Sequence, residues 1–268
     1  MKSVLLQHRV KQKHLRLRRF AVRFGIFFVL GGGGILFLLL SPRFQLGPIT
    51  LSGNATVPSE EITTAAGAFF GERVAWFFSR GNMLLFRSNA LESYMLKEFP
   101  RLASADVKRS FSQELALHVL ERAPWGLYCK HVERDCYYIA EDGVLTAEAP
   151  QLTGSAMFRV IDKRSLSAFF LLGDRAIEEF ETVFLRQIVY LLKDRYEVTV
   201  QEVILGRMFQ DQTELLTNEG WYVLFDERTN KKRALENLTL VLDQHLTDRS
   251  TLEYVDIRFE GKVFYKER

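Results

Sequence analysis

From Phe24 to Pro42 the chain runs nineteen residues without a charge, and the twenty-three residues before that run carry eight Lys or Arg and no acid. That length is close to the ~20 apolar residues a helix needs to cross a bilayer core. Residues 24–42 are therefore expected to form a transmembrane helix. Basic residues stay on the cytoplasmic side of a span, so residues 1–23, with Lys2, Arg9, Lys11, Lys13, Arg16, Arg18, Arg19 and Arg23, read as a basic cytoplasmic tail. Everything after about Arg43 is then expected outside the cytosol. Leu40 is followed by Ser41-Pro42-Arg43-Phe44, with no small-residue cleavage pair, which favours a retained anchor over a removed signal peptide. The four glycines from Gly31 to Gly34 lower helix propensity and leave the span weakly specified.

Beyond the span the periodicity alternates between two and 3.6. Gly47 to Ser52 alternates as a half-buried strand, ended by the turn signal Gly53-Asn54. Pro58 opens a helix whose first turn carries Glu60 and Glu61 at the positive end of its dipole. Ile62, Ala65, Ala66 and Phe69 line one face of it, and Gly71 closes it. A second helix starts near Ser88, shows Leu91, Tyr94, Met95 and Phe99 on one face, and stops at Pro100. Strands are predicted next over Ala105–Arg109 and Glu114–Arg122, giving the order β-α-α-β-β over residues 44–123.

The remaining residues, 124–268, read as one mixed α+β region. Met157 to Ile161 is strand-like, and Ile177, Phe180, Phe184, Ile188 and Leu191 predict a helix over 175–196. Strands are predicted over Val198–Leu205, Thr213–Thr217 and Trp221–Phe225. Leu235, Leu238, Leu242 and Leu246 predict another helix over 231–246, before a closing strand pair. Strands interrupted by two helices suggest helices on one face of a sheet.

Composition changes two points. The net charge of +3 belongs to the tail, because Phe24 onward carries 28 Lys or Arg against 33 Asp or Glu, a net −5. A nucleic-acid-binding domain would concentrate cations on its folded surface, so that class is set aside. Cys129 and Cys136 flank a charged segment that reads as a hairpin tip. Disulfides persist outside the cytosol, and a cross-strand disulfide is favoured there over two free thiols, while two Cys and His131 are too few for a metal site.

Candidate catalytic chemistry is sparse. His118 lies opposite Leu115, Leu117 and Val119 and reads as a surface strand residue. Asp256 and Arg258, two apart on a strand and hence on one face, read as an exposed ion pair beside buried Val255 and Ile257. No Gly-x-Ser-x-Gly, His-Glu-x-x-His or phosphate-loop pattern occurs. The chain is read as a non-enzyme that needs no cofactor, metal or small-molecule substrate.

The β-α-α-β-β order, with Ser52-Gly53-Asn54-Ala55-Thr56-Val57-Pro58 at its first strand-to-helix junction and Leu120-Glu121-Arg122-Ala123-Pro124 at its end, resembles the POTRA module of the FtsQ/DivIB family of bacterial cell-division proteins. Trp125, the hairpin Tyr138 to Leu145, and the closing run Tyr254-Val255-Asp256-Ile257-Arg258-Phe259 are similar to features found further along the chain in that family. The resemblance implies an α+β protein: a single transmembrane helix, a POTRA-like domain over 44–123, and a C-terminal domain over 124–268 built on an antiparallel sheet. It also implies a single-pass protein of the inner membrane, placed at the division septum, that recruits other division proteins without catalysis. Its implied partners are the small single-span coiled-coil proteins FtsB and FtsL, added as a strand at the edge of the closing sheet. Phe259, Val263, Phe264 and Tyr265 are the expected contact residues, with Phe259 on the inner face. The alternative is a membrane-anchored envelope enzyme or sensor that uses the POTRA-like unit as a spacer.

Overall fold

The computed structural model describes residues 24–74, 78–109, 114–130, 136–150, 157–164, 170–206, 212–226 and 228–268. The basic tail and the hairpin tip with His131 lie outside these residues. The described chain divides into two compact units, one holding residues up to 95 and 105–119, the other 96–104 and 120–268.

A helix, α1, covers residues 24–40. Its described length of ~25 Å, at about 1.5 Å per residue, falls short of the ~30 Å hydrocarbon core, and five glycines dilute its apolar character. Ser41 ends it, and Pro42–Phe44 turn away as a short 3-10 segment. Among the described residues no helix is long and apolar enough to cross a membrane. This corrects the span expected at 24–42, and with it the single-pass inner-membrane placement.

The first unit holds β1 (Ile49–Ser52), α2 (Ser59–Gly71), the short hairpin β2 (Arg73–Val74) and β3 (Phe78–Ser79), and most of α3 (Ser88–Glu98), β4 (Leu102–Arg109) and β5 (Leu115–Glu121). Its three-stranded sheet has the order β1-β5-β4, with β1 parallel to β5. The two-strand hairpin between the helices is an addition to the expected order. Ile62, Ala66 and Phe69 of α2, Leu91 and Met95 of α3, and alternate residues of β5 are buried, and the Phe69 and Tyr94 rings meet at 5.2 Å. Gly53 sits at φ +90°, and a Cβ there would lie 2.0 Å from the Val119 carbonyl oxygen. Only glycine fits that junction. Asn82, fully buried, donates from Nδ2 to the Leu39 carbonyl and accepts from the Leu84 amide. Met83 N–H also donates to the Phe44 carbonyl, so the end of α1 is tied to this unit.

The second unit comprises β6 (Pro124–Lys130), β7 (Cys136–Ala140), β8 (Leu145–Glu148), β9 (Arg159–Asp162), α4 (Glu179–Tyr196), β10 (Val200–Leu205), β11 (Gln212–Thr217), β12 (Tyr222–Asp226), α5 (Lys231–Gln244), β13 (Leu252–Asp256) and β14 (Phe264–Glu267). They form one sheet in the order β14-β13-β12-β11-β10-β9-β6-β7-β8. The sheet is mixed, which corrects the antiparallel one expected: β9 is parallel to both β6 and β10, and β12 to β13. The reason is connectivity. A chain that leaves a sheet through a helix can return in its original direction, and α4 and α5 are such crossovers, joining β9 to β10 and β12 to β13. Phe184, Ile188 and Leu192 of α4, Leu238 and Leu242 of α5, and Val203, Leu215, Val223 and Val255 of the sheet share one core with Trp221.

The start of α4 is later than the sequence predicts. Ala176 N–H donates to the Gly143 carbonyl and Arg175 bridges Val144, so the chain is tied to the β7–β8 turn before the helix can begin. Phe180, in the first turn of α4, is exposed, with the Lys231 ammonium 4.3 Å from its ring centre. Cys129 and Cys136 face each other across β6 and β7 and are joined by a disulfide.

At the end of β9, Asp162 is 3% exposed. Its Oδ1 accepts from the Arg164 amide and Nε at 2.9 and 3.1 Å, and its Oδ2 accepts from the Tyr128 hydroxyl. Burial alone would raise the pKa of this carboxyl, but the hydrogen bonds from Arg164 and Tyr128 and the charge of Arg164 outweigh it and leave the pKa below its ordinary 3.8. Burial, together with the Asp162 bond and charge, pushes the Tyr128 phenol up. A carboxyl whose folded pKa is depressed contributes stability above its unfolded value and loses it as pH falls through the folded one. The difference in urea midpoint between the native chain and Asp162→Asn should therefore be largest near neutrality and close below pH 3.8. A difference independent of pH would contradict this assignment.

Candidate functional site

A nine-stranded sheet has two edges, and the chain treats them differently. Outside β8, residues 173–175 lie against the strand: Leu145 N–H donates to the Asp174 carbonyl, Gly173 N–H donates to the Leu145 carbonyl, and Val144 bridges Arg175. That edge is covered along its start. β14 at the other end pairs only with β13, in antiparallel register with Val255 opposite Tyr265 and Asp256 opposite Phe264. All four of its residues are exposed. An edge strand leaves every second backbone N–H and C=O without a neighbour. Strand addition by another chain is the binding mode such an edge offers.

The turn before β14 is built on a buried charge. Asp256 is 4% exposed. Its Oδ1 accepts from the Arg258 amide at 3.1 Å and from Nε at 2.9 Å, and its Oδ2 accepts from Nη2 at 2.6 Å. Arg258 also donates to Gln212 Oε1, and Gln212 Nε2 donates to Glu214 Oε1. The hydrogen bonds Arg258 donates to Asp256, opposed by burial and helped by the carboxylate's charge, raise the Arg258 pKa further. The expected exposed ion pair is thus corrected: Asp256 is buried, and Arg258 lies past the end of the strand and folds back over it.

From this hook the chain turns through Phe259-Glu260-Gly261-Lys262. Gly261 has φ +72°, Lys262 N–H donates to the Phe259 carbonyl, and Arg233 of α5 holds Glu260 at 2.7 Å. The turn places the Phe259 ring 5.1 Å from the Phe264 ring at an edge-to-face angle of 83°, with the Arg258 guanidinium 5.7 Å from the Phe259 ring centre. Edge-to-face pairs of this kind add roughly 0.5–1.5 kcal/mol beyond area burial. Phe259 is 49%, Phe264 50% and Tyr265 46% exposed.

Of the four residues singled out in the sequence, the structure therefore gathers Phe259 and Phe264 into one exposed aromatic pair. Tyr265 is next to it, opposite Val255, and Val263 is half-buried and packs against the core. The inner-face position expected for Phe259 is corrected, because the strand stops at Asp256 and the alternation stops with it. Sequence reasoning missed Gln212, Glu214 and Arg233. They come from β11 and α5, and no local pattern links them to the turn. Another Asp-x-Arg, Asp162-Lys163-Arg164, is visible in the sequence and repeats the spacing of Asp256-Ile257-Arg258.

Elsewhere, His118 is exposed and its Nδ1 lies 3.1 Å from Ser52 Oγ. Among the described residues no group of three or more His, Cys, Asp or Glu is arranged to hold a metal ion. No family model and no curated protein matches the chain.

Removing Arg258 would leave the Asp256 carboxylate buried without its charged donors. Arg258→Ala is expected to lower the unfolding free energy by about 2 kcal/mol, in the range for hydrogen bonds to charged groups. Arg258→Lys should recover little, because an ammonium cannot reproduce the planar fork. Denaturant titration of the three chains checks this, and an unchanged midpoint in Arg258→Ala would refute it.

Proposed function

We propose that this chain is a non-enzymatic scaffold of the bacterial division machinery, of the FtsQ/DivIB type, whose second unit binds another division protein by adding a strand of it to β14. The observation that carries this reading is the contrast between the two ends of the large sheet. One is covered by residues 173–175, and the other shows bare backbone beside an exposed aromatic pair. Bare edges invite unwanted pairing and are commonly blunted by charge, proline or a covering loop. An edge left open beside Phe259, Phe264 and Tyr265 has the features of a recognition surface, in which backbone bonds give affinity and alternate side chains give selectivity.

The partners on this reading are the FtsB- and FtsL-like coiled-coil proteins of the same cell. The order of elements in the first unit and the closing run from Tyr254 to Phe259 support the family assignment. Lys262, and Lys266 paired to Glu253 at 2.7 Å, mark the rim of the aromatic patch. Lys266 is offset by Glu253, so the exposed Lys262 is the charge that favours an arriving strand with an acidic flank.

Truncation after Gly261 removes β14, and Tyr265→Ala removes one aromatic anchor. Loss of an anchor at an interface centre costs about 2 kcal/mol or more, roughly thirty-fold in affinity. Both chains should keep the circular dichroism of a folded protein and fail to co-purify with the FtsB- and FtsL-like proteins. A truncated chain that binds them as tightly as the intact one would reject the edge-strand reading.

A further inference from the structure

The second unit holds a cavity of about 550 Å³ at the end of the sheet where three parallel strands begin. Trp125 of β6, Phe158 just ahead of β9 and Val200 of β10 form its floor, and Val189, Tyr190 and Lys193 of α4 form its wall. This volume falls within the ~300–1,000 Å³ typical of small-ligand sites. The cavity lies away from β14, so nothing about it depends on the strand-addition reading.

Its aromatic floor is built to close tolerance. The Trp125 and Phe158 rings stand edge to face, 4.7 Å apart at 79°. Between them the chain has Gly126, where a Cβ would fall 2.8 Å from the Phe158 ring and 3.1 Å from its carbonyl oxygen. Any other residue would push Phe158 out of position. Phe158 is buried, whereas Trp125 is only partly so, leaving indole surface toward the cavity.

The charges of the wall are unequal. Glu141 enters the cavity already neutralised, its Oε2 bonded to Arg186 at 2.7 Å and its Oε1 accepting from the Tyr190 hydroxyl at 2.9 Å. Asn218 is likewise engaged, its Oδ1 accepting from the Thr199 amide. Lys193 has no ion-pair partner among the described residues. The lining thus presents an aromatic surface, an aliphatic wall and one unmatched cation.

We propose that this cavity binds a planar apolar group carrying a carboxylate, the ring stacking on Trp125 and the carboxylate meeting Lys193. Two sources share that chemistry: a free aromatic acid, or an aromatic residue next to an acidic one on a peptide. The test titrates the full chain by calorimetry with 2-naphthoate, with the uncharged 2-naphthalenemethanol, and with the blocked dipeptides Asp-Trp and Lys-Trp. Naphthoate or the Asp-Trp peptide should bind, and each should bind better than its uncharged or basic counterpart. Lys193→Gln, on an exposed position that leaves the core untouched, should weaken the acidic ligands roughly five-fold, as expected for one ion pair of about 1 kcal/mol. The same change should leave naphthalenemethanol unaffected. Val200→Trp should fill the cavity and abolish all binding, with circular dichroism as the fold control. Tighter binding of naphthoate identifies a small-molecule site, and tighter binding of Asp-Trp a peptide site. The proposal is overturned if neither acidic ligand binds at about 1 mM, the weak end of specific affinity, or if Lys193→Gln leaves their binding unchanged.

Discussion

Two carboxylates that are almost wholly removed from water, Asp162 and Asp256, determine where strands of the second unit stop and in which direction the chain leaves them. An unpaired charge at such a position would cost several kcal/mol. Each therefore has to be met by a cation from close by, and each is met by the arginine two residues later in the chain. Meeting it requires the chain to leave the strand and fold back over its own end. In both cases the carboxylate also takes the arginine's backbone N–H, so the direction of the exit is fixed together with the charge. After β9 the exit leads toward α4. After β13 it leads into the turn that lays β14 along the sheet and sets Phe259 against Phe264.

The same requirement relates the aromatic edge to the rest of the sheet. β11 lies three strands from β14 in the order of the sheet, yet its Gln212 holds the guanidinium of Arg258, and α5 holds the turn through Arg233 and Glu260. The edge is thus positioned by the core rather than suspended from it. A strand added to β14, as proposed above, would meet a surface already in place, and less of its interaction energy would be lost to ordering.

Much of this is legible in the sequence where one element carries its own periodicity. α2, α3 and α5 begin at the residues that the apolar spacing and first-turn signals indicate, and β5 alternates as Leu115, Leu117 and Val119 predict. The failures share a cause, which is contact between residues distant in the chain. The parallel pairing of β9 with β10 and of β12 with β13 comes from crossovers that period-two patterns cannot distinguish from hairpins. The late start of α4 comes from Gly143 and Val144 capturing residues 175–177. Counting in twos past Asp256 points Phe259 inward, but the hook has already ended the strand there. The expected membrane span fails for another reason: an uncharged run is measured by length alone, whereas five of its residues are glycine and its described helix ends at Leu40.

If β14 offers its outer backbone to another chain, amide hydrogen exchange resolved to single residues reads this directly. In the free chain, the amides of Phe264 to Glu267 that face away from β13 should exchange within the fastest class of the folded unit, while those paired to β13 are slowed. With the proposed FtsB- and FtsL-like partners bound, the outward amides should become protected and those of the covered β8 edge should not change. Outward amides that are already protected in the free chain, or that stay unprotected in a complex that has formed, would contradict the account.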